Sequence, residues 1–247
     1  MKNQQDRAAA PLKVNNLQGG YNGQAVIHGC NMKVAAGEIV VIMGGSGSGK
    51  STFLRHLIGL KPPMKGDVEL FGQSLYSVPE MDRLTLLKGI GVSFQSGALL
   101  SSLTVAQNVS LPLIEHTHLD QQTIDFIIRM KLDFVGLLGK ENLLPSELSG
   151  GMLKRAAVAR AIALDPRIVF MDEPSAGLDP AVSASLDELI IKLRDSLSMS
   201  VVVVTHELES AFKIADRVII LDRGYIIFSG TVEELKVRKN LRIQNLI

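Results

Sequence analysis

Residues 44–52 read GGSGSGKST, and the stretch from Gly44 to Ser51 fits the spacing G-x-x-x-x-G-K-[ST]. Glycines at 44, 45, 47 and 49, with Ser46 and Ser48 between them, let successive backbone N–H groups converge on a phosphate. A side chain at those glycines would block both the dihedral angles and the close approach. Lys50 then reaches the β and γ phosphates, the Ser51 hydroxyl is a ligand for Mg²⁺, and Thr52 neighbours the α phosphate. Alone, this loop specifies a purine-nucleotide triphosphatase or kinase and nothing finer.

A second group of residues supplies what hydrolysis needs. The segment IVFMDEP, residues 168–174, is an apolar run ending in two carboxylates, which suits Asp172 to hold Mg²⁺ and Glu173 to polarise an attacking water. A carboxylate beside the metal but not bound to it serves water; a kinase would present a second substrate's hydroxyl instead. The run VVVVTHE places His206 at another strand end, in reach of a γ phosphate. LSGG, residues 148–151, precedes a helical pattern, so Ser149, Gly150 and Gly151 form a helix start able to bind an anion through a hydroxyl and free N–H groups. Read alone, the same tetrapeptide is an N-cap followed by a glycine turn.

These residues need a scaffold that brings strand ends together. Apolar runs bounded by turn signals alternate with longer helical patterns, the signature of an α/β fold with a largely parallel sheet. Buried strands are expected at 39–43, 91–94, 168–171 and 201–204. The stretches 67–71, 225–228 and 12–37 are expected to form an antiparallel β layer beside them. Between 95 and 164 strand signals vanish, and amphipathic stretches at 123–138 and 151–163 predict a helical insert. The expected organisation is one domain over 12–247, with a core at 12–94 and 166–235, helices at 95–165 and a tail at 236–247 serving as a short helix or contact arm.

Composition narrows the class. The 247 residues carry 26 Lys+Arg against 25 Asp+Glu, a formal net charge of +1, which offers no broad field for nucleic acid. The single cysteine, Cys30, forms no internal disulfide, and no Cys/His cluster has metal-ligand spacing, as expected of a reducing compartment. The start lacks an apolar signal region and the richest apolar runs are strand-length, so any work at a membrane is expected to pass through a partner.

In order along the chain, Tyr21, the loop 44–52, Gln95 after a strand, LSGG at 148–151, the acidic strand 168–173, SAGLD at 175–179 and His206 together resemble an ABC ATPase over roughly residues 12–235. The resemblance implies the ABC form of the P-loop NTPase fold: a RecA-like parallel-sheet core, an antiparallel β layer and an inserted helical subdomain. It implies ATP and Mg²⁺ as ligands and Tyr21 as the adenine-stacking aromatic, although a strand tyrosine more often packs. Gln95 would touch Mg²⁺ or the attacking water. The segment after it would touch a membrane subunit, a helical-lobe core explaining its leucines equally well. Ser149 and its glycines would complete the ATP site of a second copy in a head-to-tail homodimer, with Asp179 at the dimer contact.

Met152 stands where the ABC pattern usually has Gln; with FQSGALL, EHTHL at 115–119 and PSELSGGM at 145–152, this is similar to the ATPase subunits of Mla-type lipid-transport systems, relatives of the Mce transporters. That resemblance implies a peripheral place on the cytoplasmic face of a bacterial inner membrane. It also implies transmembrane permease subunits, an Mce-domain lipid-binding protein, a small accessory protein and no nucleic acid. The alternatives are another transporter branch, such as a small-solute importer, and a soluble ABC ATPase acting on DNA or ribosomes. The latter normally needs paired cassettes, long coiled coils or zinc modules.

Overall fold

The computed structural model describes residues 10–237; of the expected tail, residues 238–247 lie outside the described part. The chain runs β1 (Leu12–Tyr21), β2 (Gln24–Val34), β3 (Ile39–Met43), α1 (Lys50–Leu57), β4 (Lys65–Leu70), β5 (Gln73–Ser74), α2 (Glu80–Lys88) and β6 (Ile90–Ser93). Helices α3 (Val105–His116), α4 (Gln121–Phe134) and α5 (Gly150–Ala161) follow, with a 3-10 turn at Pro145–Glu147. The chain then returns through β7 (Ile168–Asp172), α6 (Pro180–Leu197), β8 (Ser200–Val204), α7 (Leu208–Ile214), β9 (Arg217–Asp222), β10 (Tyr225–Gly230) and α8 (Val232–Val237).

Two sheets form. One is antiparallel in the order β2-β1-β4-β5, and the other has the order β10-β9-β3-β8-β7-β6. Strands β9, β3, β8, β7 and β6 of the second run parallel to one another. The continuous apolar runs arise because these strands are buried on both faces. Val41, Met43, Val169, Met171, Val201 and Val203 pack with helices α3 to α6 in one core, whereas the alternating Val40, Ile42, Ile168, Phe170, Val202 and Val204 pack with α1 and the antiparallel sheet in another. Each such side chain contributes about 1.5–3 kcal/mol by leaving water.

Two departures from the sequence expectation matter for the site. Residues 225–228 belong not to the antiparallel layer but to β10, which pairs antiparallel with β9 at the edge of the larger sheet. Their short alternating pattern is that of any half-exposed edge strand, and pairing partners are decided by long-range contacts. Strand β9, RVIILD, lies between them and His206 and is not among the strands expected from the sequence. Its connection to β10 reaches the glycine-rich loop, where Gly224 N donates to Ser48 O at 2.9 Å.

Candidate functional site

Strand order assembles the site. The loop 44–49 leaves the C-terminal end of β3, Asp172 ends β7 with Glu173 just after it, Thr205 and His206 follow β8, and Gln95 follows β6. Because β8 lies between β3 and β7, His206 emerges between the glycine-rich loop and the carboxylates. This sheet edge is where parallel α/β folds bind ligands.

Helix α1 opens at Lys50 behind Gly49, whose φ of 104° a side chain would strain. A Cβ on Gly44 would come within 2.1 Å of the Leu221 carbonyl of β9, so glycine is a packing requirement there as well. Ser46, Gly47 and Ser51 are exposed, while Ser48 is buried and Gly45, Gly49, Lys50 and Thr52 are partly covered. Lys50 Nζ donates to the carbonyls of Gly44 at 2.7 Å and Gly45 at 3.2 Å, which holds the ammonium over the loop. Val26, Gly47 to Thr52 line a cleft of about 300 Å³.

Beside it, Phe94, Gln95, Ser96, Asp172 and Ala176 line a cleft of about 510 Å³, which joins two of the sequence-selected residues. Burial first, and then the charge of Glu173, pushes the Asp172 carboxyl above its ordinary range, against the opposing pull of Arg55, Lys50 and Lys154. Glu173 takes the left-handed conformation, with φ 46°, unusual for a residue bearing a side chain. Its N–H donates to Val204 O at 2.8 Å, and His206 Nδ1 lies 3.0 and 2.9 Å from its two carboxylate oxygens.

Ser149, Gly150 and Gly151 line neither cleft. Ser149 caps α5, its Oγ accepting from Met152 N at 3.3 Å, and both Ser149 and Gly150 face solvent. Gly151 has a different constraint: a Cβ there would stand 2.5 Å from Val182 Cγ1, so its hydrogen lets α5 approach α6. Asp179 caps α6 by accepting from Ala181 N and Val182 N, both at 3.1 Å. Tyr21 is held by its hydroxyl, which accepts from Arg55 Nη1 at 2.8 Å, and Lys61 Nζ covers one ring face 3.4 Å from the centroid. A hydrogen bond with the Thr52 side chain, outweighing some burial, brings its phenol below the usual value.

A family described as ABC transporter matches residues 27–176. The chain belongs to the ABC family. It is 39% identical over 232 residues to the intermembrane phospholipid transport system ATP-binding protein MlaF of Haemophilus influenzae, covering 94% of this chain and 88% of that protein. It is 37% identical to the probable ribonucleotide transport ATP-binding protein mkl of Mycobacterium tuberculosis, over 91% of this chain and 62% of that protein. Among solved structures, the dimeric post-hydrolysis state of the ATP-binding cassette MJ0796 with ADP and Pi superposes with a TM-score of 0.80 at 29% identity, covering 90% of this chain and 98% of the other. The expected ABC fold is thereby established, and the chain is an ATP-binding, ATP-hydrolysing cassette of a kind that dimerises and works with transmembrane partners. Among the described residues no helix is long and apolar enough to cross a membrane.

Three further polar side chains brace the loops of the site. Asn108, fully buried, accepts from Leu100 N at 2.7 Å and donates to the carbonyls of Leu100, Leu103 and Thr104, shaping the loop that follows Gln95. Arg160 of α5 donates to Ala98 O and Gly97 O, at 2.7 and 2.9 Å, in the same loop. Lys154, also on α5, donates to Gln95 O and, at 3.1 Å, to Glu173 O. Basic residues in a helix two turns past a motif look like a solvated face in sequence, and only the packing of α5 against β6 turns them inward.

Proposed function

We propose that this cassette drives phospholipid transport between the inner and outer membranes of a bacterium through a separate permease, with ATP hydrolysed at the sheet edge described above. The likeness to MlaF over most of both chains supports the cargo. The observation that carries the chemistry is the placing of Glu173 beside Asp172, fixed at its N–H by β8 and at its carboxylate by His206.

The roles follow from this geometry. Gly44 to Gly49 cradle the phosphates with backbone N–H groups, Lys50 turns from its two carbonyls to the β and γ oxygens, and Thr52 and Tyr21 lie on the nucleoside side. Adenine stacks on the Tyr21 face that Lys61 leaves open. Glu173 accepts the proton of the attacking water as its oxygen bonds to the γ phosphorus; the bond to the β–γ bridging oxygen breaks and ADP leaves with that electron pair. His206 orients Glu173 and reaches toward the γ phosphate.

Ser51, Asp172 and Gln95 present a hydroxyl, a carboxylate and an amide oxygen, a hard donor set that fits magnesium shared with phosphate oxygens. The charge of Glu173 beside the Asp172 carboxyl adds a negative potential that a bound cation would offset. Bound, Mg²⁺ supplies neutralisation of phosphate charge.

Ser149 to Gly151, outside both clefts and exposed at Ser149 and Gly150, serve the site of a second copy in a head-to-tail homodimer. A cleft of about 320 Å³ between α2, β6, α3 and α5, lined by Leu84, Leu87, Ile90, Pro112, His116 and Leu164 among others, suits a permease element, next to the loop that carries Gln95. One domain over 12–247 with its helices at 95–165, a cytoplasmic-face location, an Mce-domain lipid-binding protein and a small accessory protein complete the reading.

Purification of the tagged chain from its own membranes, followed by identification of co-purifying polypeptides and lipid, tests it. Phospholipid with a permease is the expected result. A permease complex that retains no lipid and whose turnover responds to a small solute overturns the cargo.

A further inference from the structure

We propose that Lys154 is a positioning residue for hydrolysis: its ammonium ties the peptides of Gln95 and Glu173 to helix α5, so the helix headed by Ser149 sets where the catalytic carboxylate stands. The inference rests on Glu173 being the base.

Lys154 lies five positions beyond Ser149, inside α5, and is only 7% exposed. Its Nζ donates to two carbonyls from two separate segments, Gln95 O after β6 and Glu173 O after β7. An ammonium has three donors and no acceptor, so it can bridge carbonyls that cannot bridge each other. Burial lowers its pKa, and the nearby charges of Glu173, Asp172 and Glu207 oppose that effect. Burying a cation merely to fill space is unfavourable against an apolar residue of similar volume, so the two carbonyls are what offset its desolvation.

What it holds is a strained turn. Glu173 sits at φ 46°, in the left-handed region, a placement that persists only when its surroundings impose it. Its N–H is fixed by Val204 of β8, and its C=O accepts from Lys154 of α5 at 3.1 Å and, within its own turn, from Ala176 N at 3.3 Å, so the two sides of one residue are gripped by different elements. Loss of the α5 grip leaves the glycine-rich loop untouched, since Gly44 to Thr52 are braced by β3, β9 and the β9–β10 turn, so the phosphate and nucleoside contacts that dominate ATP affinity persist even as the Gln95 peptide loosens. That loss leaves the Glu173 C=O held only by the longer bond from Ala176 N within its own turn, so the strained peptide relaxes and the carboxylate moves relative to the water.

The test uses the full chain with Lys154→Met, Lys154→Arg and Glu173→Gln in parallel, each measured for kcat, KM for ATP, affinity for a fluorescent ATP analogue and thermal unfolding. Lys154→Met is expected to lose about 10²-fold in kcat, the scale of a small misplacement of a catalytic group, with KM and analogue affinity within about twofold. Lys154→Arg, which keeps the charge and the donors, is expected to recover most of that loss. A Lys154→Met kcat within about twofold of wild type overturns the proposal, as does a folded Lys154→Arg as inactive as Lys154→Met. Should Lys154→Met fail to fold, Lys154→Gln decides, being neutral and too short to span both carbonyls: a kcat loss at constant KM upholds the proposal and an unchanged kcat overturns it. If Glu173→Gln retains turnover, the reading of Glu173 as base fails; if only Lys154→Met does, this inference fails alone.

Discussion

His206 Nδ1 lies 2.9 Å from one carboxylate oxygen of Glu173 and 3.0 Å from the other, although the two residues are 33 positions apart and leave different strands. With Nδ1–H donated to Glu173, the neutral ring has only an acceptor at Nε2. Donation to a phosphate oxygen then needs the imidazolium form or a swing of the ring away from Glu173. The pair therefore links carboxylate orientation to the γ-phosphate side of the site.

Replacing His206 with Ala is expected to lower kcat by about 10²-fold, the usual scale for removing one well-placed polar group, while ATP binding persists. Steady-state turnover together with equilibrium binding of a fluorescent ATP analogue measures both. A variant that loses binding and turnover equally would assign His206 to ground-state contacts instead.

Glu173→Gln keeps shape and hydrogen-bonding reach but cannot accept a proton. Turnover is expected to fall by about two to four orders of magnitude. With hydrolysis blocked, ATP bound between the loop 44–52 of one copy and Ser149 of another stabilises the dimer by mass action. Light scattering of the variant with and without ATP checks this, and a mass that never rises, even with the permease, counts against the composite site.

Asn108→Leu removes the side-chain amide at a fully buried position and takes their Asn108 partner from the Leu100 N–H and the Leu103 carbonyl, while the Leu100 and Thr104 carbonyls keep the backbone N–H groups of Leu103 and Asn108. A loss of about 2–3 kcal/mol in unfolding free energy is expected, from denaturant titration. The loop behind Gln95 should loosen first, seen as faster amide exchange over residues 96–104.

His56 supplies a pH dependence. It is fully buried in α1, Nδ1 lies 2.8 Å from Lys61 O, and Gly19 lies so close that a Cβ there would meet Nε2 at 2.1 Å. Burial pushes its pKa below the ordinary value of 6.5. The unfolded chain then takes up a proton that the folded chain refuses, so this contribution to stability is complete above about pH 6.5 and declines as pH falls toward the folded value. Denaturation midpoints at pH 7.5, 6.5 and 5.5 should fall less for His56→Gln than for wild type. Parallel curves would exclude the residue as the source.

By itself the sequence determined what is local: the glycine pattern of 44–49, the strand-like runs at 39–43, 168–171 and 201–204, and the serine that starts α5. Those features depend on residues within a turn or two of each other, and dihedral preference and hydrophobic period report them directly. Residues 225–228 were legible as a strand but not as a neighbour of β9, because pairing is chosen by distant contacts. Only the tertiary structure decided that β8 lies between β3 and β7, which brings His206 to Glu173. The inward turn of Lys154, Asn108 and Arg160 was likewise unreadable, since a polar residue in a helix is exposed or buried according to what packs on it. The left-handed turn at Glu173 belongs to the same class: β8 and α5 together impose a backbone conformation that its own side chain disfavours.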